Sequence, residues 1–168
     1  TYLGQTTGET RPVDPANAVK EALSLLGPAL QGNVHLKADI PSCGPIIEAD
    51  EAHLTQILTS IVSNAVEAIG EVQGEITLNM DVVPGSSVGS AKFFPPGWEP
   101  KAEEYACVSI ADTGCGIEPE NLDKIFDPFF TTKFAGRGLG LSAVSGLLRS
   151  MEGAVSVDSR PGSGAMFK

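Results

Sequence analysis

The chain has 168 residues and a formal net charge of -10, with 42% hydrophobic, 19% charged and 6% aromatic side chains. This length fits one globular domain that buries roughly two-thirds of its unfolded surface, and the ordinary apolar content argues against disorder. No apolar run approaches the ~20 residues that span a bilayer, and the acidic charge argues against nucleic acid or direct membrane contact as a partner.

The predicted elements alternate between helices and strands. Residues 1–12 are polar and predict a linker or the end of a preceding element. Next come a helix over about 14–31, strands over 34–40 and 46–49, a helix over about 51–69 and a strand over 75–83. The second half predicts a long surface connection over 84–104, a strand over 105–111, an irregular stretch over 112–138, a helix over about 139–151, a strand over 154–159 and a last strand that the chain end cuts short. Because several strands are joined by short turns, we expect an α+β fold with a mixed sheet and helices on one face.

Charge and cysteine content narrow the class of function. Residues 1–120 carry five basic and seventeen acidic side chains, whereas residues 121–168 carry six basic and four acidic ones, so an anion would bind in the last third. Cys43, Cys107 and Cys115 have no C-x-x-C spacing, which supports neither a zinc site nor a disulfide scaffold and favours a reduced cytosolic compartment.

Asn64 is a candidate binding residue inside the helix predicted over 51–69. It lies beside the apolar stripe of that helix, with Ser60 and Glu67 about one turn to either side. An amide oxygen facing a cleft is a suitable hard ligand for Mg²⁺. A boundary Asn satisfied by backbone groups remains the alternative.

A second candidate is the sequence D-T-G-C-G-I at 112–117, directly after an apolar strand. Its glycines would let the backbone approach a ligand closely, and the Asp112 carboxylate suits an exocyclic amino group such as that of adenine. A simple turn is the alternative. The D-T-G triplet also suggests an aspartic protease, but that class requires an all-β fold with a paired Asp loop, which the predicted helices oppose.

Two further segments could bind an anion. In D-P-F-F-T-T-K at 127–133, Thr131, Thr132 and Lys133 offer donors to phosphate, although the segment could simply anchor a loop. In G-R-G-L-G-L-S at 136–142, open backbone amides lead into a helix N-terminus and Arg137 adds positive charge. The spacing is neither the dinucleotide fingerprint nor a P-loop.

Together, these four segments resemble the catalytic ATP-binding domain of bacterial sensor histidine kinases, within the Bergerat-fold superfamily that includes DNA gyrase and mismatch-repair ATPases. S-N-A-V-E-A around Asn64 is similar to the N box, and 112–117, 127–133 and 136–142 are similar to the G1, F and G2 boxes. Residues 161–167 resemble the last glycine box. The sequences of the N and F boxes are most similar to those of nitrogen-regulator-type kinases. The resemblance covers about residues 13–168.

The resemblance implies one mixed, mostly antiparallel sheet with three helices on one face, and ATP bound beneath a lid at about 118–136. It implies that Asn64 coordinates Mg²⁺ and that Asp112 binds the adenine amino group. The remaining implied ATP-binding residues are Glu67, Ala68, Gly114, Gly116, Ile117, Thr131, Thr132, Lys133, Arg137, Gly138, Leu139 and Gly140. The implied cofactors are therefore ATP and Mg²⁺, and the implied enzyme is a protein histidine kinase.

The chain departs from the family pattern at two positions and contains no phosphoacceptor motif. Ser60 replaces an Asn that becomes a catalytic Glu in gyrase-like ATPases, so strong ATP hydrolysis is not expected, and Ala165 replaces a Thr near adenine. Neither His35 nor His53 is followed by an acidic residue, as the family's phosphoacceptor is.

We therefore expect a monomeric excised domain over 13–168, with residues 1–12 trailing a dimerisation helix. The phosphoacceptor would lie on the dimerisation domain of a homodimeric parent, either soluble or membrane-anchored, and a response regulator would act downstream in the cytoplasm. The alternatives are a nucleotide-binding module without kinase activity and a serine kinase of the anti-sigma type.

Overall fold

The computed structural model describes residues 10–28, 30, 32–89, 91–127, 130 and 140–168. In chain order its elements are β1 (Arg11–Val13), α1 (Pro15–Leu26), β2 (Val34–Asp39), β3 (Ile47–Ala49), α2 (Glu51–Ile69), β4 (Gly74–Pro84), β5 (Phe93–Phe94), β6 (Glu104–Asp112), α3 (Gly140–Ser150), β7 (Val155–Ser159) and β8 (Ala165–Phe167). Short 3-10 turns occupy Gly85–Ser87 and Pro119–Asn121.

Within those residues, six strands form one sheet in the order β2-β4-β6-β8-β7-β5. β2 and β4 run parallel, whereas the other neighbouring pairs are antiparallel. β1 and β3 form a separate antiparallel ribbon. Alternate residues of β4, such as Ile76 and Leu78, are buried in one core with residues of α1, α2 and α3. The predicted two-layer α+β fold, with a mixed and mostly antiparallel sheet, is confirmed.

The central helix α2 begins and ends where the sequence predicts. The Asp50 side chain accepts a hydrogen bond from the His53 amide at 3.0 Å, and Gly70 ends the helix with φ of 68°. Its apolar residues lie at helical spacing and form one buried stripe, which includes Ile57, Leu58, Ile61, Val62, Ala65 and Ile69. α2 contacts both α1 and α3 and therefore lies at the centre of the helical layer.

Helix α1 is shorter than the predicted helix over about 14–31. Asp14 caps its first turn as expected, accepting from the Ala16 amide at 2.9 Å. The helix ends at Leu26 because Pro28 has no N–H to continue the ladder, and Gly27 donates instead to the Ser24 carbonyl at 3.3 Å. Leu30 still packs against the core, which explains why the apolar spacing extends beyond the helix.

The segment over 84–104 is more than the predicted surface connection. It contains β5, which pairs with β7 and adds the outermost strand on that side of the sheet. Phe94 of this strand is only 6% exposed and belongs to the core. A two-residue strand is too short to produce an alternating pattern, so periodicity does not detect it.

The first described residues form a strand. Arg11 and Pro12, predicted as part of a linker, lie in β1 and pair with Ala49 and Glu48 of β3. Arg11 also forms an ion pair with Glu51 at 2.6 Å.

Among the described residues, no helix has both the length and the apolar character needed to cross a membrane.

Candidate functional site

Asn64 lies in the middle of α2, half-buried beside its apolar stripe. Its side-chain NH₂ donates to the Ser60 carbonyl one turn earlier, at 3.0 Å. This bond fixes the amide plane and leaves the side-chain oxygen directed away from that carbonyl. The boundary Asn satisfied by backbone and the candidate ligand oxygen are thus compatible, because each uses a different atom of the same amide.

Asp112 ends the central strand β6 as a buried carboxylate. One of its oxygens accepts the Gly114 amide at 2.7 Å, which tightens the turn that leaves the sheet. Gly114 lies against α2: a Cβ there would come within 2.6 to 2.8 Å of Ala68 atoms. The Cys115 amide then donates to the Ala68 carbonyl at 3.0 Å. The turn after β6 is therefore fixed directly onto α2.

Asn64 and Ala68 are four residues apart and share one face of α2. The turn carrying Asp112 is thus fixed about 6 Å along the helix from Asn64, at 1.5 Å per residue. Gly140, the first residue of α3, also lies close to Asn64, since a Cβ on Gly140 would be 3.8 Å from the Asn64 amide nitrogen. The structure thus brings three of the predicted segments together along α2.

The last glycine turn closes the other side of the Asp112 turn. Gly164 has φ of 76°, and a Cβ there would lie 1.8 Å from the Asp112 carbonyl oxygen. The Gly162 amide donates to the Cys115 carbonyl at 2.7 Å. Backbone of the two glycine-rich turns is therefore in direct contact, which accounts for small residues in both.

Ser159 joins these two turns and was not predicted as a site residue. Its hydroxyl accepts the Ile117 amide at 2.9 Å and donates to the Gly164 carbonyl at 2.7 Å. A serine at the end of an alternating strand carries no local signal of such a role. Its role is visible only in the folded structure, where the end of β7 lies beside residues 112–117.

Thr113 and Glu75 fix the same turn to the neighbouring strand β4. The Thr113 amide donates to the Glu75 carbonyl at 3.1 Å, and the Glu75 amide donates to the Thr113 hydroxyl at 2.9 Å. The Glu75 carboxylate bonds Lys37 of β2 at 2.7 Å. This contact with Lys37 lowers the pKa of Glu75 below its ordinary value.

The remaining predicted residues divide into two groups. Glu67 is exposed on α2 and Ile117 packs half-buried against the core. Gly116 has φ of 72°, and a Cβ there would lie 2.1 Å from the Arg160 carbonyl oxygen. The others lie outside the described residues: Thr131, Thr132, Lys133, Arg137, Gly138 and Leu139.

The Asn64 side-chain oxygen could hold a hard cation that keeps most of its waters and is also bound by the phosphates of a ligand. Among the described residues, no group of three or more His, Cys, Asp or Glu side chains could hold a metal. An amide oxygen at Asn64 fits Mg²⁺, which is commonly bound through very few protein oxygens together with substrate phosphates.

Comparison with known proteins decides the family. The profile described as "Histidine kinase-, DNA gyrase B-, and HSP90-like ATPase" matches residues 49–168, from the end of β3 through β8. The chain belongs to this family. Membership implies ATP binding, and the matched span contains the site built around Asn64, Asp112 and Gly140.

Within this family, the chain is similar to histidine kinases. It is 35% identical over 150 residues to the signal transduction histidine-protein kinase AtoS of Escherichia coli K12, covering 89% of this chain and 22% of AtoS. The catalytic domain of histidine kinase ThkA superposes with a TM-score of 0.71 at 26% identity, covering 95% of this chain and 92% of that one.

A third comparison is full-length ShkA in complex with AMPPNP, with a TM-score of 0.73 and 30% identity. It covers 98% of this chain and 31% of ShkA. The chain spans about a fifth of the length of the curated relatives, 22% in the first ones matched. It is a histidine kinase-type ATP-binding domain.

Proposed function

We propose that residues 13–168 bind Mg-ATP and transfer its γ-phosphoryl group to a histidine on a separate dimerisation domain of the same parent protein. The observation that carries this proposal is the meeting of three segments on one face of α2. The Asp112 turn is fixed at Ala68, and the start of α3 lies beside Asn64. A purine and its phosphates would extend between these two points.

Asp112 would recognise the base in this arrangement. Its carboxylate is buried and oriented by the Gly114 amide, so it presents an acceptor that does not need to reorganise. An acceptor suits the exocyclic amino group of adenine, whereas the carbonyl oxygen of guanine at the same position would face it unfavourably. Discrimination between ATP and GTP follows from that difference.

The phosphates would lie toward the start of α3. Backbone amides at a helix N-terminus attract anions, and the implied donors from Thr131, Thr132, Lys133 and Arg137, with the amides of Gly138, Leu139 and Gly140, belong to the same part of the sequence. The Asn64 oxygen would hold Mg²⁺. When bound, that ion neutralises charge on the phosphate oxygens.

In the transfer, an imidazole nitrogen of the acceptor forms a bond to the γ-phosphorus. The bond from that phosphorus to the β,γ-bridging oxygen breaks, and ADP leaves with the electron pair. This chain would contribute positioning and charge stabilisation, which is most of what phosphoryl transfer requires. Ser60 offers no carboxylate that could activate water, so we expect slow hydrolysis of bound ATP.

The partners follow from the same proposal. The acceptor histidine belongs to the dimerisation domain of a homodimeric parent, and a response regulator would receive the phosphoryl group afterwards. The isolated domain would be monomeric and act in the cytoplasm.

Calorimetric titration of Mg-ATP tests the binding site. We expect Asp112→Asn to weaken binding by at least about tenfold, because a charge-assisted hydrogen bond contributes roughly 1.5–3 kcal/mol. Asn64→Ala should weaken binding of Mg-ATP far more than binding of metal-free ATP. Asp158→Asn and Asn79→Ala, on β7 and β4, are matched controls and should leave binding unchanged.

Unchanged affinity in both site variants would refute the proposed site. Labelled ATP incubated with this chain and a cognate dimerisation domain then tests the transfer. Acid-labile label on histidine supports a histidine kinase, acid-stable label on serine supports the anti-sigma type, and binding without label supports a nucleotide-binding module.

A further inference from the structure

Residues 85–103 connect two neighbouring strands by an unexpectedly long path. β4 and β6 pair directly along their length, so a short hairpin could join them. Instead, the connection passes beyond β8 and β7 and forms β5 at the edge of the sheet, where Phe93 pairs with Ser156 and Phe94 with Val155. The additional chain brings side chains to that edge.

Phe94 is the residue that this path places in the core. It is 6% exposed, and its ring centroid lies 4.4 Å from that of Phe126, with the rings inclined by 35°. Phe126 is 7% exposed. Beside this pair, Lys92 forms an ion pair with Asp123 and lies 5.8 Å from the Phe94 ring centroid. The connection is thus packed against residues 123–126.

Phe126 occupies a critical point of the chain. It directly precedes Asp127, the first residue of the D-P-F-F-T-T-K segment. The residues before it form successive turns, in which the Ile125 amide donates to Asn121 at 3.1 Å and the Asp127 amide to Lys124 at 2.8 Å. Fixing Phe126 therefore fixes where the chain enters that segment.

The same connection also contacts the chain after α3. The Trp98 indole N–H donates to the Glu152 carbonyl at 2.8 Å, just beyond the end of α3 at Ser150. The Trp98 ring packs on Phe93 at 5.0 Å and Tyr105 at 5.6 Å. Residues 92–98 thus contact both the chain just before the F box and the turn just after α3.

We propose that Phe94 is a positioning residue for phosphate binding: its packing on Phe126 sets where the chain enters the F box. This proposal rests on the proposed function, because it concerns the phosphate part of the same nucleotide site. Phe94 acts through Phe126 and does not itself touch the nucleotide.

The ring contact, and not the ion pair, should carry the effect. Lys92 and Asp123 have side chains that are 62% and 64% exposed, and exposed pairs contribute little because solvent and salt screen them. The two rings are buried, so losing their contact changes the position of Phe126 directly. We expect Lys92→Ala to change ATP affinity by less than about twofold.

The test compares binding of Mg-ATP with binding of adenosine, which lacks the phosphates. Phe94→Leu should weaken Mg-ATP binding by about fivefold and leave adenosine binding within about twofold. Leu78→Val is the matched control, a buried core residue whose strand partners are Ala38 and Ile110. It should lower stability without changing the ratio of the two affinities.

An unchanged ratio in Phe94→Leu, or the same change in Leu78→Val, would overturn the positioning role. If the unsubstituted chain binds neither Mg-ATP nor adenosine, the proposed function is refuted instead. In that case amide hydrogen exchange over residues 121–127 still decides the contact, since Phe94→Leu must accelerate it and Leu78→Val must not. Equal exchange in the two variants would overturn the proposal.

Discussion

Gly164 shows how a single residue holds the two glycine-rich turns together. Its backbone has a φ of 76°, and a Cβ there would lie 1.8 Å from the Asp112 carbonyl oxygen, which leaves no room for a side chain. Gly162, two residues earlier, has a similar φ of 73° but nothing within 4 Å of the position of its Cβ. A side chain at Gly162 would therefore be opposed only by the left-handed backbone conformation, whereas a side chain at Gly164 would also clash with the Asp112 backbone.

Alanine substitution at these two glycines should give unequal losses. We expect Gly162→Ala to cost about 1–2 kcal/mol of unfolding free energy, since only the left-handed conformation is penalised. Gly164→Ala should cost clearly more and also abolish Mg-ATP binding, because the turn must move away from Asp112. Urea unfolding and calorimetric titration measure both effects, and equal losses in the two variants would contradict the predicted clash.

Helix α3 differs from α2 in how well its sequence supports helix formation. α2 has an aspartate cap and a continuous buried stripe. α3 is eleven residues long, has only Val144 fully buried and carries an exposed glycine, Gly146, in its interior. Interior glycine lowers helix stability because it loses more backbone entropy on folding. Replacing this glycine should therefore stabilise α3.

Gly146→Ala should increase the free energy of unfolding by about 0.5–1 kcal/mol. Nothing lies within 4 Å of the position of its Cβ, so no packing cost opposes the gain. Mg-ATP affinity should not change, since Gly146 lies about two turns beyond the start of α3. A shift of the urea midpoint to higher concentration tests this, and Ser150→Ala, at the end of the same helix, serves as the control.

At the scale of the whole molecule, β2 and β4 are linked by the ion pair between Lys37 and Glu75. Glu75 connects this pair to the site, because its backbone bonds Thr113 of the Asp112 turn. Its folded pKa lies below the ordinary value of 4.5, chiefly through the hydrogen bond from Lys37. A lowered carboxylate pKa stabilises the fold above the unfolded pKa, and the contribution is lost as pH falls through the folded pKa.

Lys37→Met should remove this pH-dependent contribution. At pH 7 the variant should unfold at a lower urea concentration than the unsubstituted chain. The difference between the two urea midpoints should shrink as the pH falls below about 4.5, the ordinary pKa of a glutamate carboxyl. An NMR titration of the Glu75 carboxyl should show a higher pKa in the variant. A difference in stability that persists unchanged at pH 3 would exclude this mechanism.

The sequence by itself determined the features that depend on neighbouring residues. The bounds of α2 follow from the Asp50 cap, the 3.6-residue spacing of apolar side chains and the stop at Gly70. Alternation over 75–83 located β4, and the apolar run over 105–111 located β6, which the structure extends by one residue at its end to Asp112. The glycine-rich motifs indicated the family, which the comparison confirmed over residues 49–168.

Only the tertiary structure decided which distant segments meet. Ser159 reaches Ile117, and Gly140 lies beside Asn64, because the strand order and the docking of α3 bring them there. Phe94 contacts Phe126 because β5 crosses to the far edge of the sheet. Periodicity and capping are local properties of the chain, whereas these contacts join residues tens of positions apart and depend on how the layers pack.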